Sequence, residues 1–154
     1  MKKFVALFLS ALMLGSVLVG CAQQQKEVIP CSQLMQELLG DEERPASQTL
    51  EGEELSSLYG MEADWMEEGQ ALVPLMNVKA NEIALVRAKE GSEQQVQDAL
   101  TQRKEAVIQA FERYLPDQLA LAQEGKVGQV DGYCYLIIDE KAAQMEQQLK
   151  EKLS

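Results

Sequence analysis

The dipeptide Asp131-Gly132, set between the apolar segments Val127 to Val130 and Tyr133 to Ile138, constrains this chain more than any other feature. Both central residues of a two-residue type I′ turn need positive φ, which Asp and Gly accept and most side chains resist, so the flanking segments are predicted to form a tight antiparallel hairpin. Alternation then puts Tyr133, Tyr135 and Ile137 on one face, and Cys134, Leu136 and Ile138 on the other. A second pair precedes it. Ala71-Leu72-Val73-Pro74-Leu75-Met76 reads as a strand, with Pro74 at an edge or bulge because it cannot donate to a ladder. Ile83 to Ala88 reads as its partner across the loop Asn77 to Asn81, and its opening residues are apolar on both faces, which places it toward the middle of a sheet.

Each pair is followed by a helix. Ser92-Glu93-Gln94-Gln95 is a capping-box signature that opens a long helix with Val96, Ala99, Leu100, Val107, Ala110, Phe111 and Tyr114 on one face, broken only by Arg103. Pro116 ends or kinks it, and a shorter helix through Leu119 and Leu121 stops at Gly125. After the second pair, Asp139 caps a helix carrying Ala142, Met145, Leu149 and Leu153 at helical spacing. The order strand, strand, helix occurs twice, at an offset of about fifty residues by this alignment, and is read as a duplicated β-β-α unit. The expected class is α+β: a four-stranded, mainly antiparallel sheet with both helices on one face. A short N-terminal helix precedes it, with Leu34, Met35 and Leu38 between Ser32 and Gly40. Residues 41–68 carry ten acids and a single base, Arg44, and read mostly as loop around one helical segment at Leu55, Leu58 and Tyr59.

The chain's first twenty residues have a different chemistry. Lys2 and Lys3 precede an apolar run of sixteen residues from Phe4 to Val19, the layout of an export signal. The run is short of the ~20 residues that cross a membrane. Leu18-Val19-Gly20-Cys21 then resembles the lipobox of bacterial lipoproteins, in which the Cys thiol receives a diacylglyceryl group and cleavage falls just before it. The expected organisation is a signal peptide over 1–20, a lipidated Cys21 with a tether over 21–30, and a single domain over 31–154. Removal of the signal leaves 12 basic groups against all 25 acids, a net charge of −13 where the whole chain has −11. Cys31 and Cys134 remain. In an exported chain they are open to two readings, a disulfide closing a loop of about a hundred residues, or two separate buried thiols.

The lipobox, Asn81-Glu82-Ile83-Ala84 on a strand, Arg103 with Phe111, Tyr114, Pro116 and Gln118 around the end of the long helix, and Tyr133 opening the last strand together resemble a family of small lipoproteins of Gram-positive, clostridial-type bacteria. That family is known as a domain of unknown function, and the resemblance spans roughly residues 30–152. It implies a host type and a shared fold; it carries no reaction, ligand or catalytic residue.

Chemistry-bearing patterns are sparse. The chain has no His, so the common base near neutral pH and the commonest metal ligand are absent. Its acidity argues against nucleic acid as a partner. The acidic groups between Asp41 and Glu68 lack the spacing of a calcium loop and read as a solvated face. A close carboxylate pair would suit wall-glycan hydrolysis, but no pair stands out, and the expectation is a non-enzyme without cofactor or metal. Arg103, Tyr114, Gln118 and Tyr133 are the candidate lining of a small polar pocket, against the plainer reading that Tyr114 packs under the sheet while Arg103 lays its stem over the core. Glu82 is expected to face water from a strand edge, and Trp65 is either a partner contact or a lid on the core.

Two functional classes fit. One is a lipid-anchored module on the extracytoplasmic face of the cell membrane that binds an envelope protein or wall component. The other is a small ligand-binding lipoprotein serving a transporter, which calls for a concave apolar pocket with converging polar groups. In either, an acidic body beside an anionic bilayer leaves membrane attachment to Cys21.

Overall fold

Two strands buried on both sides organise the molecule. In the computed structural model, which describes residues 27–154, all six residues of β5 (Tyr133–Ile138) are buried, as are six of the seven in β3 (Glu82–Ala88). A strand apolar on both faces needs cover on both faces, and the helices are divided accordingly. β3 and β5 pair antiparallel, Glu82 opposite Ile138 and Arg87 opposite Tyr133. β2 (Met66–Pro74) and β1 (Ser47–Glu51) extend the sheet beyond β3, and β4 (Lys126–Val130) beyond β5. The sheet thus has five antiparallel strands in the order β1-β2-β3-β5-β4, one more than the expected four.

The extra strand lies in the acidic segment read as loop. β1 is an edge strand of sequence Ser-Gln-Thr-Leu-Glu, and Leu50 is its only fully buried residue, so it lacks the alternation that marks a half-buried strand. Behind it come α2 (Gly52–Tyr59), which matches the expected helical segment, and a 3₁₀ turn over Ala63–Trp65, where Trp65 packs half-buried against the core.

One face of the sheet carries Ala84, Val86, Cys134, Leu136 and Ile138 under α2, α3 (Glu93–Phe111) and α4 (Pro116–Glu124). The other carries Ile83, Leu85, Tyr133, Tyr135 and Ile137 under α1 (Cys31–Leu39) and α5 (Ala142–Leu153). The helices that follow the two hairpins, α3 and α5, therefore sit on opposite faces, which corrects the expected single layer. Helices on one side only would leave Leu85, Tyr135 and Ile137, each at most 1% exposed, in water.

That division also separates Cys31, beneath α1, from Cys134, beneath α3; both are free thiols with the sheet between them, and no disulfide joins them. Burial pushes the Cys31 thiol up to about 12 and the Cys134 thiol up to about 11, so both stay protonated.

Local signals have mixed outcomes. Asp131 and Gly132 have φ of 50° and 79°, as the hairpin requires. Pro74 lies at neither an edge strand nor a bulge: it ends the internal strand β2, beyond the last β2–β3 pair at Leu72 and Ile83, while the bulge is at Met66/Glu68. Ser92 occupies the N-cap of α3 without a capping hydrogen bond. Asp139 Oδ1 accepts the Lys141 N–H at 2.9 Å just before α5 and also pairs with Arg44. The signal peptide, the lipobox Leu18, Val19, Gly20 and Cys21, and the start of the tether lie outside the described residues. Among those described, no helix is long and apolar enough to cross a membrane.

Candidate functional site

The long helix α3 has an apolar stripe that outruns the core. Val96, Ala99, Leu100, Val107 and Phe111 are buried, but Ala106 and Ala110 are exposed, and Tyr114, just past the helix, is 48% exposed. Together with the end of β2, the loop to β3, and Leu50 and Leu58, this overhang encloses a groove of about 430 Å³. Four of the seven large apolar side chains exposed among the described residues line it: Leu58, Leu75, Met76 and Tyr114. Val78 and Leu115 adjoin lining residues in the chain. Leu115 has φ of 54°, a strained left-handed conformation for a side chain of its size, immediately before Pro116.

The floor of the groove is polar. Glu82, at the start of β3, is 2% exposed. Its Oε1 accepts from Arg103 Nε at 2.9 Å and from the Tyr59 hydroxyl at 2.7 Å, and its Oε2 accepts from Arg103 Nη2 at 2.7 Å. The guanidinium also lies 5.9 Å from the centre of the Tyr59 ring. The paired hydrogen bonds to Glu82 raise the Arg103 pKa, and burial followed by the Glu82 charge holds the Tyr59 phenol well above its ordinary range. Arg103 therefore stays charged and Tyr59 neutral near neutral pH. Glu82 does not face water from a strand edge as expected. Its strand is the central one, so its side chain must enter the interior and requires a cation there.

The four residues proposed as a pocket from sequence are dispersed. Arg103 and Tyr114 both line the groove. Tyr114 does not pack under the sheet; its ring is tilted against Phe111 at 5.6 Å and its hydroxyl lies 3.4 Å from the Asn77 carbonyl. Gln118 buttresses the wall, its Oε1 accepting the Ala80 N–H at 2.9 Å. Tyr133 belongs to the opposite face of the sheet, where its hydroxyl donates to the Ile29 carbonyl at 2.7 Å and accepts from the Ile29 N–H at 3.1 Å. Strand alternation already separates Tyr133 from anything that packs against Cys134 and Leu136, and this is the geometric reason it cannot join the others.

The sequence reading missed Glu82 and Tyr59 as partners of Arg103, and Leu75 and Met76 as groove walls. A signal for the first was present: one base interrupts the α3 stripe and one acid opens a strand whose next four residues, Ile83 to Val86, are apolar, and charges so placed are buried only when paired.

A larger cavity, about 730 Å³, lies between α1, α2 and β2 and is lined by Glu51, Glu53, Glu67 and Glu68. Glu68 is already engaged, accepting the Cys31 N–H at 2.9 Å and facing Arg87 Nε at 3.5 Å. Among the described residues no three Cys, Asp or Glu side chains are grouped to hold a metal ion.

Comparison with known proteins gives one match. The family described as Domain of unknown function (DUF4358) covers residues 40–139. Its span takes in the whole groove and the sheet, leaving outside it α1 and α5, which form the second layer, so it is narrower than the 30–152 of the sequence resemblance. No curated protein and no solved structure matches the chain. With the family match extending over about two thirds of its length, the chain belongs to the DUF4358 family.

Proposed function

We propose that this protein is a non-catalytic binding module, tethered through a lipid on Cys21 to the extracytoplasmic face of the cell membrane, and that it engages an envelope protein through the groove. The observation that carries the reading is the gathering of exposed apolar side chains at one end of the sheet; a contiguous apolar patch in water is characteristic of a contact surface. Support for the tether comes from the sequence of residues 1–21. The two features are spatially compatible. The chain enters the domain at Ile29, held by Tyr133, whose cross-strand partner Arg87 is five residues along β3 from Glu82 at the groove. At ~3.3 Å per residue the groove lies about 17 Å from that entry point, toward the opposite end of the sheet.

A second reading, a small ligand-binding lipoprotein serving a transporter, draws on the groove's volume of about 430 Å³, which falls in the range of small-molecule sites. The exposed apolar side chains Leu58, Leu75, Met76 and Tyr114 gather along this groove, and such a patch favours a macromolecular partner.

The test is capture from the organism's own membranes with the tagged, full-length protein, alongside Cys21→Ala and Leu75→Asp/Met76→Asp variants. A partner retained by the parent and lost with Leu75→Asp/Met76→Asp supports the reading. Equal recovery with that variant refutes the groove as the contact surface. Cys21→Ala should release the protein from membranes, and its retention there would refute the lipid tether.

A further inference from the structure

The groove's floor has donors left over. Arg103 commits Nε and Nη2 to Glu82, while its Nη1 has no hydrogen-bond partner among the described residues; the side chain lines the groove and is 24% exposed. Lys79 also lines the groove and has no carboxylate partner among the described residues. Arg103 and Lys79 against Glu82 leave this site with a charge of +1, in a chain whose net charge is −11. A guanidinium already tied along one edge can still receive a second carboxylate on the other, and a nearby ammonium reinforces it.

Resting on the reading of the groove as a partner site, we infer that its occupant is an apolar segment of a partner protein that carries one carboxylate. The apolar side chains of that segment lie against Leu75, Met76 and Phe111, and its carboxylate meets Arg103 Nη1 and Lys79 Nζ. A segment with neutral or basic ends leaves the site's charge of +1 unanswered, and a purely apolar one leaves the free guanidinium edge covered and unpaired. Charge complementarity therefore selects the partner as well as accelerating its approach. A carboxylate of this kind comes from a chain terminus or from an acidic side chain.

Three peptides test it: acetyl-Leu-Phe-Ser-Leu with a free carboxylate, the same peptide as a carboxamide, and acetyl-Leu-Phe-Glu-Leu as a carboxamide. Each is titrated against the full chain held in nanodiscs of neutral lipid, with empty nanodiscs as the blank. At least one acidic peptide is expected to bind tenfold or more tighter than the neutral one, and which of the two does so identifies the source of the carboxylate. Lys79→Gln should cut that ratio below threefold while leaving the fold intact, since the Lys79 side chain has no hydrogen-bond or ion-pair partner among the described residues and its backbone bond to Met76 is kept. Arg103 is left unaltered because its loss would strand Glu82. Equal binding of acidic and neutral peptides overturns the inference, as does binding undiminished by Leu75→Asp/Met76→Asp, or a dimer of the chain that this variant dissolves. If no peptide binds while membrane capture still depends on Leu75 and Met76, the inference falls and the binding-module reading stands; if capture is independent of them as well, both fall.

Discussion

Replacing Arg103 by Met should be among the most damaging single changes in the protein, and adding a second substitution should repair much of it. Glu82 is 2% exposed and has three donors, two from Arg103 and one from Tyr59. Arg103→Met leaves the carboxylate buried with the Tyr59 hydroxyl alone. Stranding one partner of a buried ion pair costs about 3–5 kcal/mol. Glu82→Leu is milder at the cation, because Arg103 is 24% exposed and can turn its head toward water, but it leaves the Tyr59 hydroxyl without an acceptor, at about 1–3 kcal/mol. The double variant Arg103→Met/Glu82→Leu strands no charge and retains only the Tyr59 defect, so it should be more stable than Arg103→Met alone by about 1–3 kcal/mol. Adding Tyr59→Phe removes the remaining orphan. Urea unfolding followed by the fluorescence of Trp65, the only Trp, measures all four variants on one scale. Against a total stability of about 5–15 kcal/mol, effects of this size are well resolved. The reasoning is refuted if Arg103→Met costs less than about 1 kcal/mol, or if adding Glu82→Leu to it destabilises further.

The thiols give a second check: Cys31 and Cys134 should resist Ellman's reagent in the folded protein and react only on unfolding, and no intramolecular disulfide should appear under oxidising conditions. The same burial predicts alkaline lability. The folded thiol values of about 12 and about 11 lie above the ordinary ~8.5 of an unfolded chain, so their contribution is complete below that value. It is lost as pH rises from about 8.5 toward 11 to 12, by several kcal/mol, and a urea midpoint that stays flat across that window would refute it. Gly128→Ala should cost about 1–3 kcal/mol by overpacking, because a Cβ there would come within 2.7 Å of the Tyr135 Cζ, and that ring is held by its hydroxyl's 2.8 Å hydrogen bond to Glu146. Thermal melts of the two proteins decide it, an unchanged midpoint counting against the packing argument.

What was legible in the sequence was local. Asp131-Gly132 specified its own turn dihedrals, and the alternation from Tyr133 to Ile138 assigned each side chain to its face. What was lost depended on neighbours distant in sequence. β1 holds its place through pairing with β2 from Gln70 to Pro74, and its own five residues bury Leu50 alone, so no period marks it. The side of the sheet taken by α5 was decided by the unmet apolar face of β3 and β5, with α1 sharing the cover. That demand was visible in Ile83 and Leu85, which alternate with Ala84 and Val86; a sheet covered on one side has no use for both sets. For the site, the charges were visible as interruptions and their pairing was not, because Glu82 and Arg103 are 21 positions apart and meet only when α3 folds back across the sheet.

The groove follows from a mismatch of lengths. α3 has 19 residues and is about 28 Å long at 1.5 Å per residue, whereas the six and seven residues of β5 and β3 span about 20 Å. A helix laid over such strands overruns them by about one to one and a half turns. In a helix whose only task was to cover the sheet, those turns would turn polar once the strands ended beneath them. Here Ala106, Ala110 and Tyr114 keep the stripe apolar over open space, and the loop after β2 answers with Leu75 and Met76, 60% and 51% exposed. Polar residues in the loop would leave the overhang a solvated helix end, and polar residues on the helix would leave the loop a solvated turn. Both sides are apolar, and between them lies an ion pair in which one nitrogen of Arg103 has no partner among the described residues. Folding alone requires neither the overhang nor its chemistry, which is why the proposed contact is placed at this groove and not at the larger, acid-lined cavity between α1, α2 and β2.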